Sequence, residues 1–280
     1  LLLDFDRIFG LSLDQIPAFY DIPDHIQTTI NRRSDLREQA NYVESDGLSQ
    51  TVRANGYLIE DTKEGTRARP QTILDKRGNQ AQLISSSKDV RSFLGHPSRF
   101  DFTFLINAQN YIQDIQRCVI SILSYSEKYS VEIIVIDNCS TDGTAEWLDE
   151  LPGRSSYVQV LHCDHVIGDA AGKNIGIKRS LGNNIVILDG STEIVGDILG
   201  PIERQLADLT VGLFGPYGLV SQDARHFHED VEYGDADAIQ GYCMAFRRES
   251  INTVGLMREC FRFYRNLDID FSFQFKGQGL

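Results

Sequence analysis

Four short apolar segments alternate with helix-like segments between residues 99 and 189, and this alternation limits the fold more than any other feature. Along the chain the apolar segments are FDFTFLI, VEIIVID, VQVLHC and NIVILD. VEIIVID is apolar throughout its centre, as expected of a strand that is covered on both faces. Strands and helices that alternate in this way form a mostly parallel sheet with right-handed crossovers. We therefore predict an α/β, Rossmann-like fold in which helices flank the sheet.

The first helix-like segment, NYIQDIQRCVISILSYSEKY, carries aliphatic residues at helical spacing. Asn110 and Gln113 stand three residues apart at its start, a spacing typical of a capping box. We therefore predict that Asn110 caps the first helix of the sheet region.

The first third of the chain differs in character, and the change falls near GHPSRFD, residues 95–101. Before this point, polar stretches surround short strand-like pieces such as TVRANGYLIED and QAQLISS. We predict a small α+β accessory region over residues 1–98 and a second domain over residues 99–280. No motif assigns a function to the accessory region, and a role in assembly is one alternative.

Composition excludes several classes of partner. A formal net charge of −13 argues against nucleic acid or an anionic membrane surface as the main partner, since both bind clustered Lys and Arg. The five cysteines have no CxxC spacing, which favours reduced thiols and a cytoplasmic location. No apolar run approaches the roughly 18 residues that an integral membrane segment requires. A phosphorylated small molecule remains compatible with this charge, because a metal ion or local cations neutralise it.

Polar residues follow the predicted strands at the point where each one ends. Asp137 begins the segment DNCSTDGT after the second strand, and Asp189 begins DGST after the fourth. Ligands of open parallel sheets bind beyond the carboxyl ends of the strands. Taken singly, either aspartate fits a helix N-cap or a loop equally well. The two together favour a nucleotide site, and neither GxGxxG nor GxxxxGK[ST] is present to indicate a dinucleotide or P-loop site.

Residues 99–280 resemble a family 2 glycosyltransferase of the GT-A fold. The resemblance rests on six ordered segments: FTFLINAQN, VIDNCSTDGT, GDAAGKNIGIKRSLG, ILDGS, IQGYCMAFRRE and VGLMRECFRFYRNLDIDFSFQFKGQG. It implies an inverting transfer of a sugar from a UDP- or GDP-linked donor. The acceptor implied is a hydroxyl group of a saccharide, a lipid-linked compound or another molecule.

The resemblance also implies roles in donor binding. Asp137 is expected to contact the base or the ribose, and Ala108 and Asn110 are expected to close the base pocket. Lys173 is expected to add positive charge near the diphosphate, although an exposed helix lysine is an equally simple interpretation. The remaining residues that the resemblance assigns to the nucleotide-sugar site are Asn138, Asp189, Gly190 and Ser191.

Asp189 is the metal ligand that the resemblance implies, for Mg²⁺ or Mn²⁺ bridging the two phosphates. Ser191 stands where the DxD motif of the family has its second acid. Mg²⁺ keeps waters readily, so one carboxylate together with diphosphate oxygens can suffice. We therefore expect metal binding that is weak without nucleotide. His226 and His228, in ARHFHED, are an alternative source of a metal ligand, or part of a solvated loop.

The segment LDIDFS supplies the expected general base of the reaction. The resemblance places Asp268 at the base position, with Asp270 in reserve. An N-cap role for Asp268 and a first-turn role for Asp270 are the structural alternatives. The main alternative function is a catalytically impaired protein that binds nucleotide-sugars through an altered DxD motif. A nucleotidyltransferase is disfavoured because the loop NAQNYIQ lacks glycines and basic residues.

Overall fold

A computed structural model describes residues 22–62, 65–71, 75, 83–154, 157–223, 226–230, 234–263 and 266–280. The chain divides into two compact units, residues 1–76 and 77–280. Each unit has its own buried apolar cluster. The start of the piece QAQLISS and the whole of residues 1–21 lie outside the described residues.

The first unit is a small α+β assembly. Its elements are α1 (Asp24–Glu38), α2 (Tyr42–Ala54), β1 (Tyr57–Thr62) and β2 (Gly65–Pro70), the two strands pairing antiparallel. Ile26, Ile30 and Val52 form its buried core. Arg33 is buried and makes two hydrogen bonds to Asp61, 3.0 and 2.9 Å long. These hydrogen bonds hold the pKa of Asp61 well below its usual value and tie α1 to β1.

The second unit contains the alternating elements that the sequence predicts. In chain order they are β3 (Phe100–Ala108), α3 (Ile112–Tyr125), β4 (Val131–Asp137), α4 (Thr144–Arg154), β5 (Val158–His162), α5 (Asp169–Arg179), β6 (Gly182–Leu188), α6 (Leu199–Leu206), β7 (Leu213–Phe214), β8 (Gly218–Val220), β9 (His228–Asp230), β10 (Ala238–Ile239), β11 (Cys243–Arg247), α7 (Ile251–Val254) and α8 (Leu267–Lys276).

The main sheet of this unit has the strand order β5-β4-β3-β6-β11-β7. The first four strands in that order are parallel, and β11 runs antiparallel to both of its neighbours. Strands β8, β9 and β10 form a separate small antiparallel sheet. The predicted mostly parallel sheet with flanking helices is confirmed.

Both faces of the main sheet are covered, as strand β4 illustrates. Ile133 and Val135 pack into the cluster that includes residues of α3 and α4. Ile134 and Ile136 face the other way and pack with Ile175 of α5. Side chains alternate between the two faces of a strand, so a strand covered on both sides is apolar at successive positions, as Ile133 to Ile136 are here.

Residues 83–98 belong to the second unit, so the division between units lies earlier than the predicted boundary after residue 98. Ile84 forms a parallel bridge with Cys163 at the end of β5. The buried guanidinium of Arg248 donates to the main-chain oxygens of Phe93 and His96, over 3.1 and 2.7 Å. This segment carries no apolar periodicity, and its attachment through main-chain oxygens is invisible in the sequence.

Helix α3 begins differently from the prediction. Asn110 and Tyr111 both have positive φ angles, 61° and 59°, and the helix starts only at Ile112. The side chain of Asn110 accepts a hydrogen bond from the main-chain N–H of Thr141, 2.8 Å away, instead of capping α3. The predicted capping box is therefore wrong, because the loop that follows β4 occupies the side-chain oxygen of Asn110.

Two predictions drawn from composition concern membrane-spanning segments and the state of the cysteines. Among the described residues, no helix is both long enough and apolar enough to cross a membrane. All five cysteines are free thiols. The cytoplasmic location stays a prediction.

Candidate functional site

The carboxyl ends of β4, β3 and β6 lie side by side at one edge of the main sheet. Neighbouring strands are about 4.8 Å apart, so the ends of β4 and β6 are about 10 Å from each other. The amino end of the antiparallel strand β11 meets the same edge, since Cys243 pairs with Leu188. Asp137 and Asp189 therefore lie at one edge of the sheet, as predicted.

Asp189 is exposed at the end of β6, and only one of its carboxylate oxygens is engaged. Its Oδ1 accepts hydrogen bonds from the N–H and the hydroxyl of Ser191, at 2.9 and 2.6 Å. In the part of the chain that the structure describes, no protein group hydrogen bonds to Oδ2. One oxygen is thus available to an external ligand.

Gly190 and Ser191 shape the loop around Asp189. Gly190 is buried, and a Cβ atom there would lie 2.3 Å from Cδ1 of Ile115 on α3, so glycine is needed for this close approach. Ser191 is exposed and turned back onto Asp189. Its hydroxyl proton is directed at the carboxylate, and its oxygen lone pairs remain available to a cation.

Asp189 and Asp268 are both attached to the segment before β11. The main-chain N–H of Asp189 donates to the carbonyl oxygen of Tyr242, 2.8 Å away. The N–H of the preceding residue, Gly241, donates to Oδ2 of Asp268 over 2.9 Å. The sheet end and the start of α8 are therefore joined through two adjacent residues. The predicted metal ligand and the predicted base are thus each hydrogen bonded to one of two adjacent residues.

Asp268 and Asp270 both occupy the first turn of α8, whose N-cap is Asn266. Asp268 is partly exposed. Asp270 is ion-paired with Arg258 at 2.7 Å and accepts a second hydrogen bond from Gln274 at 3.1 Å. Both oxygens of Asp268 also accept hydrogen bonds, from the main-chain N–H groups of Gly241 and Ile269 at 2.9 Å each. Asp270 differs in being paired with a cation, Arg258, which makes Asp268 the simpler candidate for a general base.

Asp137 is completely buried at the end of β4. Its Oδ1 accepts from the N–H of Ser140 at 3.0 Å, and its Oδ2 lies 2.8 Å from Nδ1 of His162. Direct contact between this carboxylate and a base or ribose was expected. The geometry instead directs the carboxylate at the protein's own loop.

Ala108 and Asn138 join the ends of β3 and β4. Both residues are buried, and the N–H of Asn138 donates to the carbonyl oxygen of Ala108 at 2.7 Å. Asn110, two residues after Ala108, accepts the hydrogen bond from the N–H of Thr141 on its side chain. It also donates its own main-chain N–H to the hydroxyl of Ser140 at 2.9 Å. The loops after the two strands thus form one connected wall.

Lys173 is not an exposed helix lysine. Its side chain is 12% exposed, and its ammonium group lies 2.7 Å from a carboxylate oxygen of Asp169, one turn earlier on α5. The other oxygen of Asp169 accepts from the side chain of Asn107 at the end of β3, 2.9 Å away. The charge of Lys173 is therefore balanced locally.

Two further residues hold this region together and were missed from the sequence. Asn174 is buried on α5, where its amide bonds the main-chain oxygen and N–H of Met257 at 2.8 and 3.0 Å. This contact fixes the segment that leads to α8. His162 supports Asp137, and its position near the end of the predicted strand VQVLHC was the available signal.

A family model described as "Glycosyl transferase family 2" matches residues 103–255, more than half of the chain. The chain belongs to glycosyl transferase family 2. The family predicted from the sequence is confirmed.

Curated relatives of this family 2 chain match parts of it. TuaG of Bacillus subtilis, a glycosyltransferase named for teichuronic acid biosynthesis, is 29% identical over 137 residues, 46% of this chain and 53% of the relative. The glycosyltransferase GlyG of Streptococcus pneumoniae is 31% identical over 104 residues, 36% of this chain and 34% of the relative. The matched segments therefore span about half of these relatives or less.

Two solved structures share the fold of this family 2 chain. GalNAc-T7, determined with UDP, GalNAc and Mn²⁺, superposes with a TM-score of 0.55 at 16% identity, over 63% of this chain and 40% of that one. A mannosyltransferase from Pyrobaculum calidifontis, in complex with GDP-Man and Mn²⁺, gives 0.52 at 19% identity, over 73% and 58%. At these identities the comparison supports the GT-A fold alone.

The oxygen atoms around Asp189 fit a hard divalent cation, with one carboxylate oxygen and the Ser191 hydroxyl at the strand end. No cluster of three or more His, Cys, Asp or Glu side chains suited to a metal occurs among the residues described. His226 pairs with Asp223 at 2.6 Å, and His228 lies on the short strand β9. The described residues therefore offer a cation at Asp189 one carboxylate oxygen and the hydroxyl oxygen of Ser191.

Proposed function

We propose that this family 2 chain transfers a sugar from a UDP- or GDP-linked donor to an acceptor hydroxyl, with inversion at the anomeric carbon. The acceptor is a saccharide, a lipid-linked compound or another hydroxyl-bearing molecule. The observation that carries the proposal is the attachment of Asp189 and Asp268 to the adjacent residues Tyr242 and Gly241. A donor held at Asp189 has its reacting end beside the carboxylate of Asp268.

The donor side of the site uses the wall formed by the loops after β3 and β4. Ala108, Asn110 and Asn138 belong to this wall and are assigned to the nucleoside. Asp189, Gly190 and Ser191 are assigned to the diphosphate, together with the amino end of α5, where main-chain N–H groups favour anions. Lys173 contributes fully to the diphosphate only when its ammonium turns away from Asp169.

Asp189 would hold Mg²⁺ or Mn²⁺, with the Ser191 hydroxyl as a weaker neighbouring ligand. The bound cation offsets negative charge on the departing nucleoside diphosphate. Because the described residues offer a single carboxylate at this strand end, such a cation would need further oxygen ligands from the diphosphate and would bind weakly without nucleotide. The Mn²⁺ named with both solved structures supports this assignment.

Asp268 is assigned as the general base. The acceptor oxygen forms a bond to the anomeric carbon while the bond from that carbon to the diphosphate oxygen breaks. The electron pair of the broken bond leaves with the nucleoside diphosphate, and the hydroxyl proton passes to Asp268. Each carboxylate oxygen has two acceptor positions, so the bond from Gly241 leaves Oδ2 able to accept this proton. Attack from the side opposite the leaving group inverts the carbon.

The experiment is a release assay with UDP-glucose, UDP-galactose, UDP-N-acetylglucosamine and GDP-mannose, each with Mn²⁺. We expect free UDP or GDP from at least one donor, and loss of release in Asp189→Asn. Thermal stabilisation by a donor without any release would support the alternative of a catalytically impaired nucleotide-sugar-binding protein. Neither stabilisation nor release with any donor would overturn the proposal.

A further inference from the structure

His162 lies between two carboxylates at the end of β5. Its Nδ1 is 2.8 Å from Oδ2 of Asp137, and its Nε2 is 3.1 Å from Oδ1 of Asp149 on α4. The histidine is 7% exposed and Asp137 is fully buried, whereas the Asp149 side chain is 37% exposed. The imidazole ring therefore connects a buried loop to the outer face of a helix.

The contact with Asp137 defines the role of the ring. A carboxylate oxygen accepts hydrogen bonds, so the ring nitrogen that faces Asp137 is the donor in that contact. A buried carboxylate needs hydrogen-bond partners to offset its desolvation. His162 supplies one such partner to Asp137, and the N–H of Ser140 supplies another.

A line of hydrogen bonds leads from this ring to the proposed nucleoside wall. Asp137 accepts from the N–H of Ser140, and the hydroxyl of Ser140 accepts from the N–H of Asn110. Asn110 in turn accepts from the N–H of Thr141. Each residue in this line contacts the next, and the line includes Asn110, whose positive φ of 61° depends on such contacts to persist.

We propose that His162 is a positioning residue for nucleotide binding, acting through Asp137 on the loop 138–144. This inference rests on the proposed function for its effect on the donor. The carboxylate of Asp137 is the anchor of this loop, and the hydrogen bond from His162 keeps that carboxylate oriented. The contact with Asp149 serves α4 and is dispensable for the loop.

The two ring contacts can be separated by matched substitutions. The amide nitrogen of an asparagine falls near the place of histidine Nδ1, and that of a glutamine falls near Nε2. His162→Asn therefore keeps the bond to Asp137 and loses the one to Asp149. His162→Gln does the reverse, and Asp149→Ala removes the outer contact while leaving the histidine in place.

The first readout is the Kd for UDP and for GDP, each with Mn²⁺, by titration calorimetry on the full chain. We expect His162→Asn and Asp149→Ala to bind within about threefold of the parent, and His162→Gln to bind at least tenfold more weakly. Equal weakening in the Asn and Gln variants, or greater weakening in Asn, would overturn the proposal and leave His162 a purely structural residue.

The second readout needs no nucleotide. Amide hydrogen exchange at Ser140 and Thr141 should accelerate in His162→Gln and match the parent in His162→Asn. Parent protein that binds neither UDP nor GDP would defeat the proposed function, while the exchange pattern still decides whether His162 positions the loop. Unchanged exchange in His162→Gln would overturn the inference even where nucleotide binding is present.

Discussion

Oδ2 of Asp268 lies 2.9 Å from the main-chain nitrogen of Gly241 and accepts its hydrogen bond. The residue after Gly241 receives the N–H of Asp189 on its carbonyl oxygen. Two acidic residues 79 positions apart in sequence are thereby attached to one short segment of main chain. The bond from Asp189 joins two main-chain groups and survives substitution of either acidic side chain. The bond from Gly241 uses the side chain of Asp268, so it survives only a substitution that keeps an acceptor oxygen, such as Asp268→Asn.

Asp268→Asn should abolish sugar transfer while preserving the fold. The amide oxygen still accepts from Gly241, but the side chain no longer takes up the acceptor proton. General-base catalysis contributes roughly 10²–10⁴-fold, and we expect a loss of that order in kcat with the Kd for UDP or GDP unchanged. The measurement is nucleoside diphosphate release together with calorimetric binding.

Asp270→Asn is the matched control for the base, since it lies two residues away in the same helical turn. It weakens the ion pair with Arg258 and should reduce kcat by less than about tenfold, because neither residue is assigned to the reacting atoms. A larger loss of kcat in Asp270→Asn than in Asp268→Asn would transfer the base assignment to Asp270.

Ser191→Asp should strengthen metal binding in the absence of nucleotide. It adds a second carboxylate beside the free oxygen of Asp189, and ligand charge tunes cation affinity over orders of magnitude. We expect Mn²⁺ affinity to rise roughly tenfold, measured by electron paramagnetic resonance titration of free Mn²⁺. Ser191→Ala is the control and should leave the affinity near that of the parent. An unchanged Mn²⁺ affinity in Ser191→Asp would mean that Asp189 is not a metal ligand.

Arg248→Ala should destabilise the second unit strongly. The buried guanidinium bonds three main-chain oxygens, of Phe93, His96 and Ser180. Bonds to charged groups contribute about 1.5–3 kcal/mol each, and the abandoned carbonyl groups carry a further desolvation cost, so we expect a loss of about 3 kcal/mol or more. Urea unfolding measures it.

Arg258→Ala provides the comparison for Arg248, because the Arg258 side chain is 64% exposed. An exposed ion pair contributes about 1 kcal/mol or less, and the unfolding free energy should change accordingly. Equal losses in the two variants would mean that residues 83–98 add little to the stability of this unit.

The thiols should differ in reactivity according to burial. Burial raises the pKa of Cys118 and Cys163 to about 12 and that of Cys243 to about 11, so little thiolate is present at pH 8. Cys260 is exposed. A disulfide reagent at pH 8 should label Cys260 quickly and the three buried thiols only after unfolding, as read by mass spectrometry. Rapid labelling of a buried thiol in the native protein would contradict this.

The sheet was predictable from the sequence because a strand buried on both faces is apolar along its centre. VEIIVID is apolar from Ile133 to Ile136, and the strand occupies residues Val131–Asp137 with a neighbouring strand on each side. The placement of Asp137 and Asp189 at one edge follows from the same pattern, since parallel strands end together. Both predictions follow from the local apolar pattern of each strand, together with the rule that ligands of open parallel sheets bind beyond the carboxyl ends of the strands.

The partners of the site residues were not predictable in the same way. Asp137 bonds His162, and Asn174 bonds Met257, across 25 and 83 positions of sequence. Single polar residues leave no periodic signal that names such partners. Asn110 shows the converse, since its local capping pattern was overruled by a contact from the neighbouring loop. Tertiary hydrogen bonds decide the orientation of each of these side chains.

The most direct test is a crystal of the protein with UDP or GDP and Mn²⁺, measured at the manganese absorption edge. Binding of the donor diphosphate at Asp189 predicts an anomalous peak next to Oδ2 of that residue, with the phosphates on the side of the peak that faces Asp268. A nucleotide bound with its manganese peak away from Asp189, or with its diphosphate remote from Asp268, would contradict the proposed site.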